Sequence, residues 1–493
     1  MKKEKRRKVY LIGIDSAPLW VIKALASHEE FAPFKRFMEK GKIVELESTM
    51  PPMTGPAWPS IYTGLKPSEH GVPDFFVMKE EYVPDLVYYD SQRFPPFWEK
   101  LAEQGVKSLI ITPATDVNLS RRNNVDMISG FPLKAKSNRK NIDALMDKHG
   151  FHGEPDIESD MKSNKISVDE GAREFAKSVR ARADIAKELI EKGSYDFVYV
   201  CFTETDRMQH ATLNRVDHME YLKKVYSGIS EFLGFVMARA SDENGTVLLV
   251  SDHGAQPVTS KFLINAMLAD EGFITFRGAV SGNNESATPN KKDSFRYVIR
   301  EKLLTTRLRR VYDKLPHRVK GKIFRLFSAA TSNASGEEYT HVHLMDMDMH
   351  KTKAFAAISN LTVGTIWIND SRFKSGIVKN GEKRELKKEI MRSLSHQKCP
   401  DGKRLFTDII DAEKYYGRKT SFIAPDIMFE AREGYIVDVK YYSKNSRFMK
   451  PELFKSGDHT KFGIFGAYPN ATQLQSMKVT DVAKFITELY AKR

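Results

Sequence analysis

The stretch Asp196-Phe-Val-Tyr-Val-Cys-Phe202, followed directly by Thr203-Glu-Thr-Asp206-Arg-Met-Gln-His210, indicates how this chain folds. Its first part is a continuous apolar run with the length expected of a buried strand. The run stops at a polar segment that contains an aspartate and a histidine. This pairing of a strand end with metal-binding residue types is the pattern that the rest of the chain repeats.

Two further apolar runs end in the same way. Thr246-Val-Leu-Leu-Val250 leads into Ser251-Asp252-His253-Gly254, and Val9-Tyr-Leu-Ile-Gly-Ile14 ends at Asp15. Because parallel sheets gather ligands beyond the carboxyl ends of their strands, we expect these acids and imidazoles to converge. Carboxylate with imidazole suits zinc or manganese, and more than four such ligands suggests two ions. The pattern therefore predicts metal-assisted chemistry.

Strand-like runs alternate with helical patterns along the chain, as in a parallel sheet covered by helices. Loop-like composition and a basic helical stretch interrupt this alternation. We therefore predict one core formed by residues 1–276 and 341–493, with residues 277–340 as a basic insertion or cap. The expected helices are 19–26, 168–192, 219–240 and 382–394, and the expected strands include 246–250, 353–358 and 363–369.

Composition limits the class of protein. With 41% hydrophobic and 29% charged residues in 493, the chain is typical of a folded globular protein. The basic N-terminus resembles the start of a signal peptide, but Asp15 interrupts the apolar run behind it. No apolar run approaches the roughly 20 residues of a membrane span. Cys201 and Cys399 are too few for a disulfide framework, so we expect a cytoplasmic protein.

The net charge of +14 attracts phosphates, nucleic acids and anionic membranes alike. The densest basic stretch, residues 295–325, has apolar positions at helical spacing. This spacing favours a helix with a solvated basic face over a contact with an anionic substrate or membrane.

The segment from Met50 to Gly71 adds a hydroxyl group to the predicted centre. Pro56 suits the first turn of a helix, so Thr54 is expected at or beside the helix N-cap. Backbone amides and the helix dipole favour an alkoxide and a phosphate oxygen there. In isolation, Thr54 would be read as an ordinary capping residue.

In combination these segments resemble the alkaline phosphatase superfamily, and within it the type I phosphodiesterase and nucleotide pyrophosphatase-like phosphohydrolases. The resemblance implies an α/β fold: a three-layer αβα core with a central, mostly parallel sheet and an inserted cap-like segment. The motifs that carry it are Gly13-Ile-Asp15, Thr54-Gly-Pro56, Thr63-Gly-x-x-Pro67-x-x-His70-Gly71, Asp206-x-x-x-His210, Ser251-Asp-His-Gly254 and Gly457-Asp-His459-Thr-x-x-Gly463.

The same resemblance implies roles for individual residues. Thr54 would be the nucleophile. One ion would be surrounded by Asp15, Thr54, Asp252 and His253, and the other would be held by Asp206, His210 and His459. Zinc is the expected metal, with manganese and iron as alternatives.

The implied reaction is hydrolysis of a phosphodiester or pyrophosphate bond in a phosphorylated small molecule or nucleotide, through a phospho-threonine. Phosphomonoesterase, phosphonate hydrolase, and phosphoryl transferase or mutase activities use the same metal cage and stay open. A rival from another class is a non-catalytic nucleic-acid-binding or membrane-binding protein on this scaffold. The intact Thr54 argues against that rival.

The chain departs from the nucleotide pyrophosphatase pattern after His70-Gly71. Those enzymes commonly carry an asparagine there that holds a phosphate oxygen, whereas this chain has Val72-Pro73-Asp74-Phe75. An ionised Asp74 repels phosphate, so the donor is expected elsewhere, either the Gly55 amide or a basic residue of the insertion.

Two other segments contain histidines that could bind a metal. His70 is expected to stabilise its turn rather than bind metal. The segment from His341 to His350 alternates histidine with aspartate, and we favour a polar strand face over a second metal cluster.

Overall fold

The computed structural model describes a mixed α/β protein, with these residues placed: 6–130, 134–153, 156–276, 341–342, 347–358, 360–442, 447–451, 455–469 and 474–491. The predicted insertion, 277–340, and its basic stretch lie outside the described residues. The proposed division into domains therefore stays a prediction.

A nine-stranded sheet forms the centre of the fold. Five of its eight neighbouring strand pairs are parallel, which confirms the mostly parallel sheet that the alternating pattern predicts. In spatial order, with numbers that follow the chain, the strands are β23 (Met477–Lys478), β2 (Lys42–Glu47), β22 (Phe462–Tyr468), β9 (Thr246–Val250), β1 (Val9–Ile14), β8 (Phe197–Phe202), β5 (Ser108–Ile111), β6 (Val125–Ser129) and β7 (Lys136–Ser137).

Helices cover both faces of this sheet. Successive side chains of β1 alternate between two apolar cores, with Tyr10 and Ile12 in one and Val9 and Leu11 in the other. The first core also takes side chains from α1 (Leu19–Ala26), α2 (Ala32–Lys40), α8 (Val168–Lys192) and α10 (His218–Glu243), and the second from α3 (Thr54–Thr63), α5 (Phe97–Glu103) and a C-terminal helix (Val482–Ala491). The arrangement is the predicted three-layer αβα core.

Shorter elements connect these layers. Short 3₁₀ helices span Glu29–Phe31 and Val479–Asp481. A hairpin of β3 (Phe76–Met78) and β4 (Pro84–Leu86) follows α4. The remaining helices of this part are α4 (Pro67–His70), α6 (Lys140–Lys148), α7 (Ile157–Lys162) and α9 (Glu204–Thr212).

A third apolar core lies in what we call the smaller region, residues 260–276, 347–442 and 447–451 of the described chain. It contains two four-stranded sheets and three helices, α11 (Ile264–Asp270), α12 (Asn380–His396) and α13 (Ala412–Tyr416). In spatial order, the strands of one sheet are β14 (Asn360–Leu361), β18 (Tyr435–Asp438), β11 (Ser260–Leu263) and β20 (Phe448–Met449). Those of the other sheet are β13 (Ala354–Phe355), β15 (Val363–Ile368), β17 (Ile427–Ala431) and β16 (Phe406–Asp411).

Most predicted elements match the structure, and one is much shorter. The helices at 19–26 and 168–192 and the strand at 246–250 have the predicted bounds. The strand expected over 353–358 covers only Ala354–Phe355. The Asn265 side chain forms hydrogen bonds with both the N–H and the carbonyl of Ala356. These backbone groups therefore bond to a side chain instead of to a neighbouring strand.

The segment from His341 to His350 is only partly described. His341–Val342 forms a short strand, β12, that pairs with β19 (Tyr441–Tyr442). Residues 343–346, with the second histidine of the segment, lie outside the described residues. No helix among the placed residues is long and apolar enough to cross a membrane.

Candidate metal centre

The carboxyl ends of three adjacent central strands place the predicted acids together. Strand β1 lies between β8 and β9, so the residues that follow these strands leave the same edge of the sheet. Asp15 follows β1, α9 with Asp206 follows β8, and Asp252 follows β9. Parallel pairing thus produces the convergence that the sequence predicts.

His459, the last of the predicted ligands, lies on a separate pair of strands. Antiparallel pairing of β10 (Gly254–Pro257) with β21 (Gly457–Thr460) sets His459 opposite Ala255, two residues after His253. Asp206 and His210 are four residues apart on α9 and therefore share one face of that helix.

One cluster consists of Asp206, His210 and His459. The Nε2 atoms of the two histidines are 3.0 Å apart. The Asp206 carboxylate lies 3.4 Å from His210 Nε2 and 3.3 Å from His459 Nε2. His210 Nδ1 lies 2.8 Å from the carbonyl oxygen of Gly457, an orientation that turns Nε2 toward the other two groups. Three ligand atoms therefore face a common point.

The other cluster surrounds the Thr54 hydroxyl. Thr54 is the first residue of α3 and is buried. Its Oγ1 donates a hydrogen bond to Asp15 Oδ1 at 3.3 Å and lies 3.5 Å from His253 Nε2. His253 Nε2 is also 3.2 Å from Asp252 Oδ2. The structure thus brings together all four residues that the resemblance assigns to one ion.

The two clusters are neighbours. The rings of His253 and His459 lie 4.0 Å apart between centroids. Asp206 belongs to both groups of ligand atoms that lie within 4.8 Å of one another, with His210 and His459 and with Asp15 and His253. None of the seven predicted residues lies elsewhere in the protein.

The carboxylates of Asp15 and Asp252 lack sufficient compensating charge when no cation is bound. Burial, with the carboxylates of Asp252 and Asp206, raises the pKa of Asp15 well above its usual range. Burial also raises the pKa of Asp252, against a hydrogen bond from the Ser16 amide. The positive charge of Arg207 lowers the pKa of Asp15. This effect is smaller than the combined upward effect of burial, Asp252 and Asp206.

The pKa values of Asp206 and His253 depend on burial and on the histidines beside them. Burial acts to raise the pKa of Asp206, but His210 and His459 outweigh it and hold this pKa well below the usual range. Burial, with the nearby His459 ring, holds the pKa of His253 well below its usual value, so its ring is neutral, the form that binds metals.

These features fit divalent cations. Asp252 Oδ2 is buried without a hydrogen bond among the described residues. Buried carboxylates with raised pKa values bind protons when no metal is present, and a divalent cation replaces those protons. Imidazole nitrogens and carboxylate oxygens are zinc and manganese ligands. The candidate centre can therefore activate a hydroxyl group and stabilise charge on a phosphoryl group.

Several supporting contacts were not predicted from the sequence. The Trp58 indole donates to Asp15 Oδ2 at 3.1 Å. Glu204, two residues before Asp206, forms an ion pair of 2.7 Å with Arg182, and both side chains are completely buried. Glu204 lies close to Asp206 in the sequence, but neither its partner Arg182 nor the bond from Trp58 to Asp15 has a sequence signal.

The predicted turn role of His70 agrees with its contacts. His70 Nε2 lies 3.0 Å from Ser60 Oγ, and Nδ1 accepts from the Val72 amide. Burial lowers the pKa of His70 to about 4, so the ring is neutral. These contacts fix the turn after α4.

Of the residues that stand where the family carries an asparagine, Phe75 lies against Gly55, the residue after Thr54. The Phe75 ring covers Gly55, with ring atoms 3.2 Å from where a Cβ would stand. Asp74 accepts a hydrogen bond from the Phe76 amide, and burial raises the pKa of Asp74 to about 7. Near neutral pH its carboxyl is thus partly protonated, which weakens the repulsion expected from the sequence.

Comparison with known proteins gives a consistent result. The family model for type I phosphodiesterase / nucleotide pyrophosphatase matches residues 9–460. Phosphonoacetate hydrolase from Sinorhizobium meliloti 1021, solved with phosphonoformate, aligns at 14% identity over 98% of this chain and 96% of that chain, with a TM-score of 0.57. Murine ectonucleotide pyrophosphatase / phosphodiesterase 5 aligns at 14% identity over 98% and 95%, with a TM-score of 0.48. Among curated proteins there is no match.

Proposed function

This chain belongs to the type I phosphodiesterase / nucleotide pyrophosphatase family, and from that premise we propose that it hydrolyses a phosphodiester or pyrophosphate bond with Thr54 as nucleophile. The family makes it a phosphoric ester hydrolase. The observation that carries the finer proposal is the position of Thr54 Oγ1, buried and within 3.5 Å of Asp15 Oδ1 and His253 Nε2.

In the proposed centre, Asp15, Thr54, Asp252 and His253 hold one ion, and Asp206, His210 and His459 hold the other. Two divalent cations supply positive charge that lowers the pKa of a bound hydroxyl and stabilises the in-line oxygens of a phosphoryl transfer. Zinc is the preferred identity because the ligands mix imidazole with carboxylate, and manganese or iron fits the same set.

The steps follow from the position of the threonine. Thr54 Oγ1 gives its proton to solvent and attacks phosphorus, and the P–O bond to the leaving group breaks on the opposite side. The leaving oxygen takes up a proton from solvent. Water then attacks the phospho-threonine and loses a proton, the bond between Thr54 Oγ1 and phosphorus breaks, and Thr54 Oγ1 takes up a proton to restore the hydroxyl. In this proposal the backbone amides at the start of α3 bind the phosphate oxygens.

Hydrolysis of bis(4-nitrophenyl) phosphate tests this proposal. We expect turnover with added zinc or manganese and its loss on chelation. Thr54→Ala should lower kcat by several orders of magnitude, since removal of a nucleophile has cost about a million-fold elsewhere. Thr54→Ser, which keeps a hydroxyl, is the matched control and should retain measurable activity.

Two results would contradict the proposal. One is full activity of Thr54→Ala. The other is a metal-loaded wild type that cleaves neither diester nor monoester yet binds polyanions in a salt-sensitive way, which would favour a non-catalytic nucleic-acid-binding or membrane-binding protein.

The absence of the family asparagine after His70 makes a monoester or a phosphonate the second candidate substrate. Without that donor the assignment to a diester is weaker, and hydrolysis of monoesters and phosphonates uses the same two-metal centre. Comparing rates for 4-nitrophenyl phosphate, its diester and phosphonoacetate decides between them. A diester rate well above the other two supports the first candidate.

We also propose a cytoplasmic location and a small phosphorylated substrate. Cys201 and Cys399 are both free and buried, as in proteins of reducing compartments. Cell fractionation tests the location, and recovery of the protein outside the cytoplasm would contradict it.

A further inference from the structure

The Trp58 indole makes a contact at the centre that the proposed chemistry does not use. Its Nε1 donates a hydrogen bond of 3.1 Å to Asp15 Oδ2, while Asp15 Oδ1 accepts from Thr54 Oγ1. The two oxygens of one carboxylate thus have separate partners. Trp58 and Thr54 are four residues apart on α3, so one face of this helix contacts both oxygens.

Trp58 is held rigidly. Its side chain is completely buried, and its ring stacks on Tyr62 at 5.8 Å and packs against Tyr199 at 6.4 Å between centroids. Its approach also requires a glycine in β1, because a Cβ at Gly13 would lie 2.9 Å from the Trp58 ring and from Cys201 Sγ. Gly13 therefore leaves the space in which this indole packs against β1 next to Asp15.

From this geometry we infer that Trp58 is a positioning residue for the metal centre, which fixes the rotation of the Asp15 carboxylate and leaves Oδ1 directed at the cation and at Thr54. The inference rests on the proposed function. A donor that holds one carboxylate oxygen prevents rotation of the group, and such outer partners of metal ligands usually contribute roughly 10- to 100-fold to metal affinity.

The protein contains a matched control in Trp98. Trp98 is equally buried, contacts the same Tyr62 and Tyr199 rings, and its Nε1 has no hydrogen-bond partner among the described residues. Trp58→Phe and Trp98→Phe therefore make the same chemical change in one aromatic cluster, but only the first removes a bond to Asp15.

Calorimetric titration of the metal-free full-length protein with Mn²⁺ is the test. We expect Trp58→Phe to weaken manganese binding by roughly 10- to 100-fold. Trp98→Phe should bind as the wild type does. At saturating manganese, KM for the diester should be unchanged in Trp58→Phe, because Trp58 is not expected to touch substrate.

Equal affinities in the two variants, whether both normal or both weakened, would overturn the inference. A wild type that binds no manganese would instead overturn the proposed centre itself, and the wild-type titration identifies that case.

If Trp58→Phe does not fold, the indole N–H of the wild type gives the answer. The chain has four tryptophans, so ¹⁵N-indole labelling yields four signals, assigned through Phe variants of the other three. The Trp58 signal should shift on binding of zinc, which is diamagnetic, and the Trp98 signal should not. A Trp58 signal unaffected by metal would overturn the inference.

Discussion

The smaller region and the candidate metal centre both bury aspartates, but the charges of these aspartates have different neighbours. In the smaller region, the Asp438 carboxylate lies 3.0 Å from Lys261 Nζ, and both side chains are at most 3% exposed. Asp370 and Asp426 are likewise paired, in a network with Arg372 and Lys383. At the metal centre, Asp15 and Asp252 face other carboxylates and a neutral histidine.

This difference separates a structural cluster from a functional one. A buried ion pair needs its own partner and contributes to the folded state when intact. A group of buried acids whose pKa values are raised gains nothing from folding until a cation arrives. Uncompensated charge is therefore the physical mark of the site, and each prediction below tests that contrast.

The largest effect is expected in the smaller region. Asp438→Asn leaves the buried Lys261 ammonium without its carboxylate, which should lower the free energy of unfolding by about 3–5 kcal/mol. Chemical denaturation measures this change, and manganese affinity of the folded variant should match the wild type.

The control is the double variant Lys261→Met with Asp438→Asn. Removal of both charges should recover most of the lost stability, because the cost comes from the isolated charge. If Asp438→Asn is as stable as the wild type, or if it loses metal affinity, the two regions are not distinct in the way described.

Asp252→Asn should show the reverse pattern. It removes a metal ligand, so we expect manganese affinity to fall at least about a hundredfold, or about 2.7 kcal/mol. Because burial raises the pKa of Asp252, its ionised form disfavours the metal-free fold as pH rises. The thermal midpoint of the metal-free variant should therefore equal or exceed that of the wild type at neutral pH.

A lower midpoint in metal-free Asp252→Asn, together with unchanged metal binding, would contradict this account. It would make Asp252 a structural residue like Asp438.

The pH dependence of metal binding is the smallest predicted effect. Asp15 and Asp252 have pKa values raised above 3.8, the usual value for Asp, so both stay protonated at pH values where an ordinary aspartate is ionised. Metal binding must displace those protons. Manganese affinity should rise with pH, by about tenfold per pH unit for each proton displaced. Calorimetry in buffers of different ionisation enthalpy counts these protons.

Asp252→Asn is again the control, since it should release one proton fewer on metal binding. A manganese affinity that is independent of pH throughout the acid range would contradict the raised pKa values.

The parts of the site predicted from sequence are those with a local signal. Apolar runs that end at Asp15, Asp206 and Asp252 identify buried parallel strands, and strands of that kind bring their ends together. His459 has no such signal, because its strand pairs with residues far away in the chain, and only the family resemblance placed it.

The contacts that sequence could not provide depend on tertiary packing. Strand β15 pairs with β17, some 60 residues later, so no short-range pattern predicts the sheets of the smaller region. The bond from Trp58 to Asp15 and the pair of Arg182 with Glu204 likewise join separate elements. The periodicity of apolar residues and the local composition indicate that such residues are buried, but they do not indicate which side chains these residues contact.

Anomalous diffraction from crystals of the manganese-loaded or zinc-loaded protein tests the central claim most directly. The account predicts two peaks about 4 Å apart. One peak should lie among Asp206, His210 and His459, and the other among Asp15, Thr54, Asp252 and His253. A metal-loaded protein with no peak between these side chains, or with its ions bound elsewhere, would contradict it.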